Sequence, residues 1–581
     1  MCDNKVSNFV KVIELKNSPI KLLNFRSATE VTWVLALAFV SCGLFYEVLS
    51  ALCSVGLFVL IVFKAKKQKD LKLFINPLSV SVGAIFLFYL LSVLWAADKG
   101  MAPFGVLKFL PLPLFMILLM QQKDEENSNF FFDLFPPLIA IVTVVTFVLG
   151  QIPPLKPYFL VNGRLAGCFG YPNTFAIVLL CAIIYTILKN KITKLDLVCN
   201  SILGFGIFYS GSRTVFILFV ISVLLIVFKK VTSKKAKILF VLGIFGVIIL
   251  FAIVSVAFGF TNSIGRFLTT SVFSSTFLGR FLYFYDALPL IFKNPFGLGY
   301  LGYYSLEQSI QSGLYSVRFI HNDFLQLLLD VGWIPTCLFV FAVAKRFFKK
   351  GTDFKTRLLI FVITAHSLFD FNLQFIFVFM LYIAILNENS GQQITLKKTA
   401  IALVPITALT AVSLYFGTAQ SFYYLGDYNT ATKIYSNFTE ARQKQLTSAT
   451  NIDEMCLLAN QILELNPASS LSHSAKANYF FAKGDVVSAL DQMNLAIEKA
   501  PFAYAEYEKT AYILQTAIKM YETAGDTTSA AYCKDKIISL NQQLSAVKNK
   551  ISPLGSMIAD QPTTEFSEEI KEYIKGLKNE N

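Results

Sequence analysis

GRFLYFYDALPLIFKNPFGLGYLGYYSLEQSIQSGLYSVRFIHNDFLQLLLDVG, running from Gly279 to Gly332, is the longest polar interruption in an otherwise lipid-compatible chain. It carries Arg280, Arg318 and His321 in a protein with three histidines in all, so a proton-handling side chain here is informative. Its meaning depends on what flanks it. Of the 581 residues 55% are hydrophobic, and the mean hydropathy is +0.58. A soluble globular chain holds roughly 45–50%. The expected fold class is therefore all-α, a polytopic membrane helix bundle.

A hydrocarbon core about 30 Å thick needs roughly 20 apolar residues per helix. On the C-terminal side of the quoted stretch such runs fall near 324–344, 357–371, 373–387 and 399–417. On the other side they fall near 31–47, 48–63, 77–96, 104–120, 131–149, 173–188, 195–210, 214–228 and 237–258. That gives about 12–13 spans in a membrane domain covering 31–417. The preceding segment 1–30 is polar, lacks the apolar core of a cleavable signal peptide, and is expected in the cytoplasm. The net charge of +14 sits mostly in short clusters between apolar runs: Lys64–Lys72, Lys189–Lys194, Lys229–Lys237, Lys345–Arg357 and Lys397-Lys398. All fall on one side of an alternating thread, which the positive-inside rule makes the cytoplasm. The charge is thus accounted for by membrane orientation without nucleic acid. The loop 259–323, which holds most of the quoted stretch, is expected on the outer face of the cytoplasmic membrane.

Beyond residue 417 the composition turns to soluble, mixed-charge helix. In ELNPASSLSHSAKANYFFAKGDVVSALDQMNLAIEKAP, Pro467 and Pro501 stand 34 positions apart. Ala475, Ala489, Ala496 and the Gly484-Asp485 turn sit where a helix–turn–helix repeat packs closely, and the pattern resembles a tetratricopeptide repeat. Gly426-Asp427 and Gly525-Asp526 suggest degenerate copies on either side. A helical-repeat domain is expected over 418–551, extracytoplasmic and suited to a protein partner, followed by a polar, frayed tail 552–581. The nine cysteines include no C-x-x-C pair and no histidine at ligand spacing, so no metal site is expected.

Arg164, Arg213, Arg266, Arg280 and Arg318 all lie on the outward side, where the positive-inside rule disfavours basic residues. A guanidinium offers phosphate oxygens a planar fork of donors, so several around one cavity would hold a pyrophosphate. Any one of them would equally pair with a lipid headgroup or a loop carboxylate. His321 stands at the mouth of the span near 324–344. A histidine at an aqueous vestibule takes a proton from a hydroxyl at neutral pH, or is an interfacial residue satisfied by backbone. His366 and Asp370, four apart in AHSLFDFN, are expected on one helix face inside a span, supporting the site from behind. Gly297 to Gly302, GLGYLG, matches G-x-G-x-x-G but follows Asn294-Pro295 rather than a strand. It reads as a turn, and no cofactor is expected.

Four stretches carry a family likeness: GRLAGCFGYPNTFA (Gly163–Ala176), YSGSRTVFI (Tyr209–Ile217), LGRFLYFYDALPLIFKNPFGLGYLGYY (Leu278–Tyr304) and the interval from His321 to Gly332. Together they resemble the O-antigen ligase and polymerase superfamily of polytopic membrane glycosyltransferases, over residues 30–390. The resemblance implies that two arginines, matched by Arg213 and Arg280, and a histidine, matched by His321, line an extracytoplasmic cavity that needs no metal. Ile217 departs from the leucine the family often has four residues after the first arginine. Arg164 and Asn173 match a further family motif, and with Arg266 and Arg318 they are candidates for substrate contact.

The implied reaction uses an already activated donor, a polyprenyl-pyrophosphate-linked glycan, because no nucleotide sugar or ATP is expected outside the membrane. His321 would deprotonate the acceptor hydroxyl, and Arg213 and Arg280 would stabilise the departing pyrophosphate. The acceptor, a glycan, lipid or protein, stays open, since the repeat domain is absent from typical lipopolysaccharide ligases. A polymerase acting on a second lipid-linked unit is the adjacent alternative. A transporter or scaffold presenting the repeats is the non-enzymatic one, although no clear repeat relates the two halves of the membrane part.

Overall fold

The computed structural model describes residues 30–122, 125–239, 242–243, 246, 275–397 and 399–580. The segment 1–29, most of the run near 237–258, and the loop 259–274 with Arg266 lie outside the described residues. The rest is helical apart from two small two-stranded ladders. Among the described residues three helices are long and apolar enough to cross a membrane: Glu47–Gln68, Ala102–Met120 and Thr399–Tyr424. Shorter apolar helices include Glu30–Val40, Pro77–Ser92, Pro172–Ile187 and Ile376–Leu386. Local chemistry sets their ends. Asn76 and Ser79 close a reciprocal capping box ahead of Pro77, which stands at the first helical position. Thr193 and Asp196 repeat the box at Lys194–Ser210.

Helices Glu47–Gln68 and Thr399–Tyr424 pack against each other. Near one end Leu71–Ile75 pairs antiparallel with Gln392–Leu396, from Leu71 opposite Leu396 to Ile75 opposite Gln392. Near the other, Glu47 accepts from Gln420 Nε2 (3.1 Å) and Tyr424 Oη (2.9 Å). A 26-residue helix rises about 39 Å, so these junctions mark opposite ends of the bundle. The ladder lies beside two lysine clusters, where the sequence offers only a short basic loop. Its pairing partner stands at the far end of the membrane part of the chain.

The run near 324–344 is two helices rather than one span, Asp323–Val331 and Trp333–Phe348, broken at Gly332. Gly332 has φ 80° and ψ −169°, and a Cβ there would stand 2.2 Å from Pro295 O, so only glycine fits. The GLGYLG turn fills the break. Leu298 N and Gly299 N donate to Leu329 O (2.6 Å) and Asp330 O (3.0 Å), and Trp333 N donates to Pro295 O (3.0 Å). Backbone groups left free by the interrupted helix are satisfied there, as a buried break requires.

Beyond Tyr424 the chain continues as packed helices, among them Ser470–Ala482 on Val486–Lys499 and Tyr504–Thr523 on Thr527–Ala546. The three Gly-Asp pairs are one device used three times. Asp427, Asp485 and Asp526 cap the following helix by accepting from Thr430 N, Ser488 N and Ser529 N, each at 3.0 Å. The tail expected to fray is instead ordered. Glu568–Glu580 is a helix, and Phe566, Ile574 and Leu577 are buried in the core of these C-terminal helices. Its apolar positions recur at helical spacing beneath a high charge content that masks them in a composition reading.

The C-terminal helices stand at the end of the bundle away from the Leu71–Ile75 ladder. Asp98, in the turn after Pro77–Ser92, accepts from Thr439 Oγ1 (2.7 Å) and Asn466 Nδ2 (3.3 Å). Beside it Lys99 N donates to Leu465 O (3.0 Å).

Candidate functional site

Asn162 and Gly163, with φ 51° and 73°, turn a short hairpin in which Leu160 pairs with Leu165 and Val161 with Arg164. Asn-Gly suits such a turn because both central residues take positive φ, matching the twist of the strands. The hairpin delivers Arg164 to the end of helix Lys194–Ser210, where its Nε donates to Ser210 O (2.6 Å). Its Nη2 donates to Asn173 Oδ1, also at 2.6 Å. Asn173 lies in the first turn of Pro172–Ile187, and its Nδ2 donates onward to Asp370 Oδ2 (2.8 Å).

Asp370 is the meeting point. The expected helix face shared by His366 and Asp370 does not form, because helix Phe354–Ser367 stops at Ser367 and Asp370 lies in the irregular link before Ile376–Leu386. That link folds back on the helix end, where Asn372 Nδ2 meets His366 Nδ1 at 2.8 Å. His366 is fully buried and supports the link rather than pairing with Asp370 on a helix face. Outside the helix, the Asp370 carboxylate receives Tyr171 Oη on Oδ1 (2.7 Å) and Asn173 on Oδ2. A carboxylate that is 1% exposed needs a countercharge. Arg280 Nη2 stands 3.4 Å from Oδ2, and His321 Nδ1 stands 3.4 Å from Oδ1.

Arg280 comes from helix Ser275–Lys293, whereas His321 closes the link between Gly302–Ile310 and Asp323–Val331. The two residues after the histidine fix its place. Asn322 Oδ1 caps the helix by accepting from Phe324 N and Leu325 N, both at 3.0 Å, while its Nδ2 donates to Leu368 O (3.0 Å). Asp323 Oδ1 accepts from Leu373 N (2.9 Å). His-Asn-Asp is thereby sewn to the same link that holds Asp370. The imidazole centroid lies 5.0 Å from the Phe371 ring, edge-on, and 6.0 Å from the Tyr283 ring. The His321 and Arg280 side chains are 21% and 12% exposed, so both are reachable while the carboxylate behind them is not. With Nδ1 turned to Asp370, Nε2 is the nitrogen left to face a substrate.

The other candidates divide. Arg213 opens helix Arg213–Lys230, three residues after the Ser210 carbonyl that holds Arg164. Arg318 is turned toward the C-terminal helices, its Nη1 2.6 Å from Glu440 Oε1 and its guanidinium 5.6 Å over the Tyr304 ring. Burial works against its charge, but Glu440, Tyr300 and Glu47 outweigh it and hold the guanidinium firmly protonated. Arg164 and Asn173 reach the Asp370 cluster as a relay. Tyr171, Asn322, Asp323 and Tyr283 escaped the sequence reading. Each lies within three positions of a predicted residue, and Asn322 directly beside His321, so polar neighbours of a candidate were the signal to follow.

Residues 198–340 match the family model described as O-Antigen ligase. The chain carries an O-antigen ligase domain. The matched segment contains Arg213, Arg280 and His321, while Arg164, Asn173 and Asp370 lie outside it. With apolar helices around it, the O-antigen ligase domain supports a membrane glycosyltransferase of the ligase or polymerase type. No curated protein and no solved structure matches the chain. The carboxylate on which the O-antigen ligase domain's arginine and histidine converge comes from beyond the matched residues.

Proposed function

We propose that this protein transfers a polyprenyl-pyrophosphate-linked glycan to an acceptor hydroxyl at the outer face of the cytoplasmic membrane. The observation that carries this reading is the convergence of Arg280 and His321 on Asp370 from two separate segments. Asp370 accepts the Nδ1 proton of His321 as a hydrogen bond, which fixes the tautomer with a free lone pair on Nε2. Nε2 takes the proton of the acceptor hydroxyl as its oxygen forms the new bond to the anomeric carbon. The bond from that carbon to the pyrophosphate breaks with its electron pair, and Arg280 and Arg213 stabilise the charge on the departing oxygens. A single displacement inverts the anomeric centre.

Orientation agrees with this chemistry. Two lysine clusters, Lys64–Lys72 and Lys397-Lys398, flank the strands of the Leu71–Ile75 ladder, which by the positive-inside rule supports reading the Asp370 cluster and the C-terminal helices as extracytoplasmic. The repeated Gly-Asp caps support reading those helices as a tetratricopeptide-like solenoid with a surface for a protein partner. The test uses purified protein, a polyprenyl-pyrophosphate oligosaccharide and candidate acceptors. One transfer product marks a ligase, and a ladder marks a polymerase. His321→Ala is expected to slow transfer roughly 10²–10⁴-fold with insertion intact, and undiminished transfer by that variant overturns the mechanism.

A further inference from the structure

Arg280 and His321 belong to different segments, and a second junction away from Asp370 also joins those segments. On helix Ser275–Lys293, buried Asp286 accepts from Ser312 N (2.9 Å), Ser312 Oγ (2.6 Å) and Tyr315 Oη (2.9 Å). The Tyr315 ring lies 4.6 Å from that of Tyr283, which neighbours His321. Ser312 is gripped at the same time by the C-terminal chain. Ser552 N donates to Ser312 O (2.8 Å), and the two hydroxyls are 3.0 Å apart. The backbones touch: a Cβ on Gly555 would lie 2.2 Å from Ser312 O, and one on Gly313 would lie 2.8 Å from Gly555 Cα. Leu314 packs against the core of the C-terminal helices.

We propose that Ser552–Ile558 is a positioning element of the transfer site, which sets the separation of Arg280 and His321 by pressing Ser312 and Gly313 onto helix Ser275–Lys293. This rests on the transfer reaction proposed above. The link 311–322 has no strand ladder of its own, so contacts must offset the entropy of ordering it. Its far end is anchored at Arg318, His321 and Asn322, whereas Ser312 to Tyr315 is held by Asp286 on one side and the C-terminal segment on the other. Transfer chemistry is sensitive to such support, since a misplacement of about 1 Å costs on the order of 10²-fold in rate. The C-terminal helices therefore do more than present a surface: the link between Thr527–Ala546 and Glu568–Glu580 holds the general base in register with the pyrophosphate-binding arginine.

The test is Gly555→Ala in the full chain, the smallest wedge available, because the atoms its methyl would meet are backbone. Ser556→Ala, whose hydroxyl bonds Pro553 O within its own turn, is the control. With a polyprenyl-pyrophosphate oligosaccharide as donor, Gly555→Ala is expected to lower kcat about 10-fold or more. The stoichiometry of donor binding should stay that of the wild type, and deuterium exchange across 311–322 should rise. Equal kcat alongside raised exchange overturns the positioning role, and unchanged exchange overturns the clamp itself. If Gly555→Ala fails to insert, Ser552→Ala supplies the same comparison with an expected loss of about 3-fold. If the wild type transfers no glycan, the proposed reaction fails, and exchange across 311–322 still decides whether the segment orders that link.

Discussion

His321 meets Asp370 through Nδ1, 3.4 Å from Oδ1, with the carboxylate buried behind the ring. The same aspartate faces Arg280, so one group orients the proposed base and balances the proposed pyrophosphate ligand. Asp370→Asn keeps the shape and removes the charge. With the amide oxygen in the Oδ1 position, Tyr171 and the imidazole keep an acceptor, now without its charge, while the amide nitrogen is set against the donors of Asn173 and Arg280. Glycan transfer is expected to fall roughly 10–100-fold, measured as initial rate per inserted protein. Activity within twofold of wild type would remove Asp370 from the mechanism.

What could be read from the sequence was the set of charged residues that a lipid-facing chain has no reason to keep. Arg280 and His321 stood out on that ground, and the structure brings them to one carboxylate. Asp370 also stood out, but its partner was misjudged, because the four-residue spacing assumes a helix that continues. Helix Phe354–Ser367 stops without a glycine or proline to announce it. Gly332 interrupts a window whose hydropathy is unchanged by one glycine. Arg318 looked like a substrate ligand because Glu440, its partner, lies 122 residues away among the C-terminal helices. Contacts of that range have no periodicity to detect.

The docking of the C-terminal helices should depend on pH. Burial pushes the Asp98 carboxyl up to about 6, against the hydrogen bonds from Thr439, Met101 N and Gly100 N. Burial likewise lifts Glu307 to about 7. Carboxyls raised this way hold a proton in the folded state at pH values where the unfolded chain has lost it. Their contribution is therefore largest at low pH and is lost as pH rises through about 6 and 7. Unfolding of the extramembrane part, followed by calorimetry, should shift to higher temperature between about pH 7.5 and pH 5.5. Asp98→Asn should flatten that dependence by about 1 kcal/mol over this window. At lower pH the capping carboxylates Asp427, Asp485 and Asp526 act in the opposite sense, since hydrogen bonds hold them below their ordinary value. A midpoint that rises with pH across the upper window contradicts the assignment.

Gly332→Ala should damage the membrane part itself. Its φ of 80° with ψ −169° belongs to a region open essentially to glycine, and the added methyl would stand 2.2 Å from Pro295 O and 2.6 Å from Phe296 C. Relief requires separating the GLGYLG turn from the helix break, which breaks the bonds from Leu298 and Gly299. The expected loss is about 3 kcal/mol or more, read as a lower melting temperature in detergent and less inserted protein. An unchanged melting temperature would mean that the break is not held as described.

Arg318 and Glu440 offer a choice between two roles that a double-mutant cycle resolves. If Arg318 binds donor, Arg318→Gln raises the KM for the lipid-linked glycan and Glu440→Gln leaves it alone. If the pair docks the C-terminal helices, each substitution lowers their thermal stability, and the double variant loses little more than either one. The geometry favours docking, because the guanidinium is committed to Glu440 at 2.6 Å and lies over Tyr304 rather than in the Asp370 cluster. Since the Arg318 side chain is 35% exposed, the coupling energy should be modest, about 0.5–1 kcal/mol. Additive losses together with a KM effect confined to Arg318→Gln would return Arg318 to the substrate path.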